Sequence, residues 1–179
     1  MRRRPLIAVV VAALVAVGCG TGAAPTRAPF LTTPPPVTPL AVPNATIVAA
    51  RAVLDERLDN AGFTLEQPAR RYRPPQPARL QAALHSVFRV DLADPDQGWV
   101  VVYDLGNADS AAAAGGEFVR YLETFGRTNY PADARFAINQ LGAALIFHWW
   151  SRQGSSDPER AEAAFEVISA IGERFDVVG

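Results

Sequence analysis

The sequence predicts an α+β fold for residues 44–179: a four-stranded antiparallel sheet of order 1-2-4-3, made from two ββα units and preceded by an additional N-terminal helix. Three observations carry this reading. Apolar residues recur at helical spacing in three separate segments. They follow a period of two, or run unbroken, in four shorter segments. The segments succeed one another as helix, hairpin, helix, hairpin, helix. A chain of this length suits one globular domain, and a domain of this kind buries roughly two-thirds of its unfolded surface.

The first helix follows Asn44 or Thr46, either of which suits an N-terminal cap, and places Ile47, Ala50, Val53, Leu54, Leu58 and Ala61 on one stripe before Gly62 stops it. Residues 63–79 carry Pro68, Pro74, Pro75 and Pro77 among Arg70, Arg71, Arg73 and Arg79, and read as loop or edge segment. Residues 86–92 then alternate Phe88, Val90 and Leu92 with Val87, Arg89 and Asp91, a strand with one wet face. The turn residues Asp94-Pro95-Asp96-Gln97-Gly98 lead into a second strand over 99–105, apolar on both faces.

Asp109 caps the second helix, whose stripe is Ala111, Ala114, Phe118, Tyr121, Leu122 and Phe125. Gly115 and Gly116 inside it weaken the helix by roughly 1 kcal/mol each relative to alanine, a cost that close approach to the sheet would explain. Phe136 and Ile138 open a third strand, Leu141-Gly142 permits a tight turn, and residues 143–150 form a fourth strand apolar on both sides. Asp157 before Pro158 starts the last helix, with Ala161, Ala164, Phe165, Ile168 and Ile171 as its stripe and Gly172 as its stop. Strands two and four, apolar on both faces, belong in the middle of the sheet. The second and third helices are expected on one face, and the first helix with the proline-rich loop over part of the other. Counted back from their closing glycines, Phe118, Leu122 and Phe125 match Ala164, Ile168 and Ile171, which makes a duplicated unit an expectation.

Ahead of the domain, residues 1–18 divide into a basic start (Arg2, Arg3, Arg4), an apolar run over 6–17 and small residues before Cys19. This is the pattern of a secretion leader. The run of twelve residues would be roughly 18 Å long as a helix, short against a hydrocarbon core of about 30 Å. Leu14-Val15-Ala16-Val17-Gly18-Cys19 resembles the lipobox of bacterial lipoproteins, with Ala16 where the commonest version has leucine. The resemblance covers the leader only. It implies cleavage before Cys19, diacylglycerol on that sulfur, and a protein held by lipid on the extracytoplasmic side of the cell membrane. Two acyl chains hold a protein at a bilayer where one would not. In residues 20–43, seven of 24 are proline, a composition that cannot bury enough apolar surface to fold. Residues 19–43 are therefore expected to be a lipidated cysteine and an extended tether, reaching at most about 75 Å at roughly 3.1 Å per residue.

Charge and composition narrow the partners. The 17 basic residues, all arginine, nearly balance 18 acidic ones, and without residues 1–18 the formal charge is −4. No nucleic-acid partner is expected of such a chain. One cysteine leaves no internal disulfide and no zinc site of several thiolates. No H-E-x-x-H, G-x-S-x-G or phosphate-loop motif is present, so no cofactor is expected.

The candidate binding residues are His148, Trp150, Arg71 and Arg73. His148 shares a strand face with Ile146 and Trp150, and an exposed tryptophan beside it would make a recognition patch. Trp149 and Trp150 are adjacent, so they point to opposite faces. Arg71 and Arg73, within Arg70-Arg71-Tyr72-Arg73-Pro74-Pro75-Gln76-Pro77, could meet anionic wall polymer or lipid headgroups through bidentate contacts. The reading that follows is a surface-tethered lipoprotein whose non-catalytic domain binds an envelope protein or wall component. The alternatives are a small extracytoplasmic hydrolase using His148 with a carboxylate, and a small-ligand carrier with its cavity between sheet and helices.

Overall fold

The computed structural model describes residues 44–68, 71–94 and 96–177; the expected leader, Cys19 and tether lie outside the described residues. The elements are α1 (Ala45–Asn60), β1 (Leu65–Glu66), α2 (Ala78–Ala82), β2 (Leu84–Val90), β3 (Trp99–Asp104), α3 (Ala108–Thr124), β4 (Arg135–Leu141), β5 (Ala144–Trp150), α4 (Pro158–Ser169) and β6 (Glu173–Phe175). The fold is α+β with an antiparallel sheet. That sheet has six strands in the order β1-β2-β3-β5-β4-β6, where four were expected, and the two short strands at its edges change the order accordingly. Both edge strands lie where periodicity has nothing to work on: β1 is two residues and β6 is three. Gly172 makes the last one possible, since its φ of +72° turns the chain back and a Cβ there would fall 2.1 Å from the Gln140 carbonyl oxygen.

The layering also departs from expectation. α1 and α4 share one face, where Leu54, Leu58, Ala164, Phe165 and Ile168 pack with Val100, Val102, Ile146 and Trp150. On the other face, Ala114, Phe118 and Leu122 of α3 pack with Val101, Tyr103, Leu145 and Phe147. Strand order explains why the second and third helices separate. The connection from β3 through α3 to β4 passes over β5, and that from β5 through α4 to β6 passes over β4. Each joins two strands that run parallel, because both are antiparallel to the strand between them. The two connections step the same way across the sheet but leave from strands of opposite direction. A common right-handedness therefore sends their helices to opposite faces.

The same topology removes the expected duplication. The β2-β3 hairpin steps onward in the direction of its following crossover, whereas the β4-β5 hairpin steps back against it. As a result α4 packs on its own hairpin, while α3 packs on β4 and β5 of the other unit. The matching offsets reflect amphipathic helices in general, and they diverge at the end: Ile171 is buried, whereas Phe125 is 71% exposed. At the helix starts, Asp157 caps α4 by accepting from the Arg160 amide. For α3 the cap is Asn107, accepting from the Ser110 amide at 2.8 Å, and Asp109 sits in the first turn.

Candidate functional site

Residues 71–77 form a strap that crosses the α3 face of the sheet beside that helix. The local chemistry directs it there. β1 ends at Glu66, and Pro68, Pro74, Pro75 and Pro77 have no amide hydrogen to give a ladder, so the chain leaves the sheet edge and runs over its face. Aromatic residues hold it down. The Tyr72 ring stacks on Trp99 with centroids 4.8 Å apart and planes at 7°. The Tyr72 hydroxyl accepts from Trp149 Nε1 at 2.6 Å. Further along, the Tyr103 hydroxyl donates to Gln76 Oε1, and the Tyr130 hydroxyl reaches the Pro75 carbonyl at 3.5 Å. Burial pushes the Tyr72 phenol up to about 12 and raises those of Tyr103 and Tyr130 as well, so these groups act as neutral hydrogen-bonding anchors.

Between the strap and the outer edge of β2 lies an open groove of about 380 Å³, lined by Gln67, Pro68, Arg71, Tyr72, Arg73, His85, Ser86 and Val87. Arg73 and His85 also line a second hollow of about 260 Å³ toward Tyr121 of α3, so the two hollows adjoin at these residues. Arg71 and Arg73 are exposed. Neither is ion-paired with any described residue, in contrast to Arg51 with Asp55, Arg79 with Glu117, and Arg135 with Glu162 and Glu166. His85 is half-buried, and its Nδ1 lies 3.1 Å from the Ala83 carbonyl oxygen. A carbonyl can only accept, so that nitrogen is the donor of the pair. The groove thus gathers two forked cationic donors and one imidazole around an open space.

His148 and Trp150 are not part of it. They lie on the opposite face, 0% and 2% exposed, beneath Phe165 of α4, and so form no recognition patch at the surface. His148 Nδ1 donates to the Trp99 carbonyl at 2.8 Å, a main-chain partner where a hydrolytic base would be oriented by a carboxylate. Burial is the main reason its imidazole is pulled down to about 4, against the smaller opposing effect of the Trp99 hydrogen bond. Nε2 of this histidine has no hydrogen-bond partner among the described residues, and the side chain is fully buried. This geometry removes the basis for His148 as a hydrolytic base. Of the two adjacent tryptophans, Trp149 is the half-buried one, covered by the strap.

Of the expected residues, then, the structure joins Arg71 with Arg73 and separates both from His148 and Trp150. Cys19 lies outside the described residues. His85, the second histidine of the chain, ranks below His148 on the sequence, yet it is the one that lines the groove. Its only signal was its place before a strand, and its meeting with Arg73 depends on the strap folding back over that strand. Among the described residues no group of three histidine, cysteine, aspartate or glutamate side chains is placed to hold a metal ion. Compared with family models, with curated proteins and with solved structures, the chain matches none.

Proposed function

We propose that this chain is a lipoprotein of the bacterial cell envelope, moored through Cys19 on the extracytoplasmic side of the membrane, whose domain binds an anionic group of an envelope protein or wall component and catalyses no reaction. The lipobox-like residues 14–19, the single cysteine and the proline-rich stretch over 20–43 support the mooring. The observation that carries the binding reading is the pair Arg71 and Arg73, exposed and without an acidic partner among the described residues, on the wall of an open groove. Guanidinium forks match carboxylate and phosphate oxygens bidentately, which makes such a pair a recognition element.

Two measurements test the two halves. Cys19→Ser is expected to move the protein from the envelope pellet to the soluble fraction, and an unchanged distribution contradicts the mooring. For binding, the full-length chain in detergent is titrated with an acidic peptide and with poly(glycerol phosphate). The Arg71→Ala/Arg73→Ala variant is expected to lose at least tenfold in affinity for whichever anion binds, and equal affinity contradicts the groove.

A further inference from the structure

Resting on the reading that this groove takes anionic ligands, we infer that its ligand is an extended acidic peptide segment that adds to the outer edge of β2 as a further strand and sets its carboxylates against Arg71 and Arg73. The first support is the state of that edge. β2 runs from Leu84 to Val90, but β1 pairs only with Val90 and Arg89, so the stretch 84–88 has no strand on its outer side among the described residues. At roughly 3.4 Å per residue that is at most about 17 Å of edge beyond the β1 ladder, room for a segment of up to about five residues.

The pairing pattern fixes which main-chain groups face outward. Val90 donates to the Gly98 carbonyl on the β3 side, whereas Asp91 donates to the Thr64 carbonyl on the β1 side. Alternation along the strand then turns the N–H and C=O of Ser86 and Phe88 toward β3, and those of His85 and Val87 toward the groove. Among the described residues, these outward groups of His85 and Val87 have no main-chain partner. Both residues line the groove, and so does Pro68, whose ring nitrogen could not have continued the β1 ladder. An unpaired edge of this kind is a template for strand addition.

Charge completes the assignment. Side chains of an added strand alternate between faces, so every second residue of the ligand stands on the strap side, where Arg71 and Arg73 project without acidic partners among the described residues. Carboxylates at alternate positions meet them there. On the other face the intervening residues lie on the side of Ser86 and Phe88, where the Arg51 guanidinium, paired with Asp55, covers the Phe88 ring at 5.2 Å. A polyanionic polymer could use the two arginines, but it has no amide ladder to offer the outward groups of His85 and Val87, and this favours the peptide.

The test uses the full-length chain in detergent and a synthetic heptapeptide alternating glutamate with valine or threonine. Two further versions carry N-methyl groups on one or the other alternate set of backbone nitrogens. Strand addition predicts that one methylated version binds at least tenfold more weakly than the other, and that the unmodified peptide slows amide exchange at His85 and Val87. Equal affinity of the two methylated peptides, or unchanged exchange at both amides, overturns strand addition. Binding of poly(glycerol phosphate) without binding of the peptide overturns the ligand class while leaving an anion groove in place. If Arg71→Ala/Arg73→Ala weakens neither ligand, the groove reading itself fails and the inference falls with it.

Discussion

The imidazole of His148 and the main-chain carbonyl of Trp99 are joined at 2.8 Å inside the sheet face covered by α4, so the histidine is a neutral internal strut between β5 and the start of β3. Its protonation is coupled to unfolding. The folded-state value of about 4 lies below the ordinary 6.5, so between these limits the unfolded chain takes up the proton and the folded one resists it. The folded state therefore carries no penalty from this group above about pH 6.5 and loses stability as pH falls toward 4. At pH 4.5 the loss is about 2–3 kcal/mol relative to pH 7. Urea unfolding of the wild type and of His148→Gln at the two pH values checks this. The variant is expected to be less stable at pH 7 and to show a pH dependence smaller by about that amount.

Gly115 and Gly116 have opposite expected behaviour. A Cβ at Gly115 would fall 2.5 Å from the Phe175 ring on β6, whereas at Gly116 the nearest atom is Arg120 Nη1 at an ordinary 3.7 Å. Gly116→Ala should stabilise the protein by about 0.5–1 kcal/mol through helix propensity. Gly115→Ala should destabilise it by roughly 1–3 kcal/mol, since β6 must move away. Thermal unfolding of the two variants decides the pair.

Asn44 performs two tasks at the first residue of the described domain. Its Oδ1 accepts from the Ile47 amide at 3.1 Å, and its Nδ2 donates to Asp104 Oδ2 at 2.7 Å at the end of β3. The Gly106 amide first, and then Asn44, hold the Asp104 carboxyl below its ordinary value. Asn44→Ala is expected to cost about 1–2 kcal/mol, the usual effect of losing a cap. Asn44→Asp would retain the cap but set two carboxylates against each other. It should recover less stability at pH 7 than at pH 3.5, as denaturant titration at the two pH values would reveal.

Tyr72 links the fold to the groove. Tyr72→Phe keeps the stack on Trp99 and leaves the Trp149 indole without its acceptor, an expected loss of about 1–2 kcal/mol with affinity in the groove nearly unchanged. Tyr72→Ala removes the stack as well. It should release the strap and reduce anion affinity severalfold while the far-ultraviolet circular dichroism stays the same. Calorimetric titration of both variants separates anchoring from folding.

Much of this architecture was legible because it is written in periodicity. The central strands, the helices from Ala45, Ala108 and Pro158, and the opposite orientation of Trp149 and Trp150 all follow from local spacing. The strands Leu65–Glu66 and Glu173–Phe175 are too short to show a period, and their place depends on neighbours far along the chain. Which tryptophan would be covered by what was likewise unreadable, because the partner of Trp149 is Tyr72, 77 residues away. The candidate site divides in the same way. Arg71 and Arg73 are legible as cations of a proline-rich loop, and His148 and Trp150 as neighbours on one strand face; that α4 covers this face and buries both depends on the crossover, which local spacing does not show.

The groove is tested most directly by nuclear magnetic resonance of the full-length chain, with ¹⁵N-labelled arginine and histidine side chains, titrated with the acidic heptapeptide. Peptide seated in the groove gives saturable shifts at the Arg71 and Arg73 guanidinium Nε–H and the His85 imidazole, with the buried His148 ring unmoved. Shifts that converge on His148, or arginine signals at 71 and 73 that never respond, would contradict that seating.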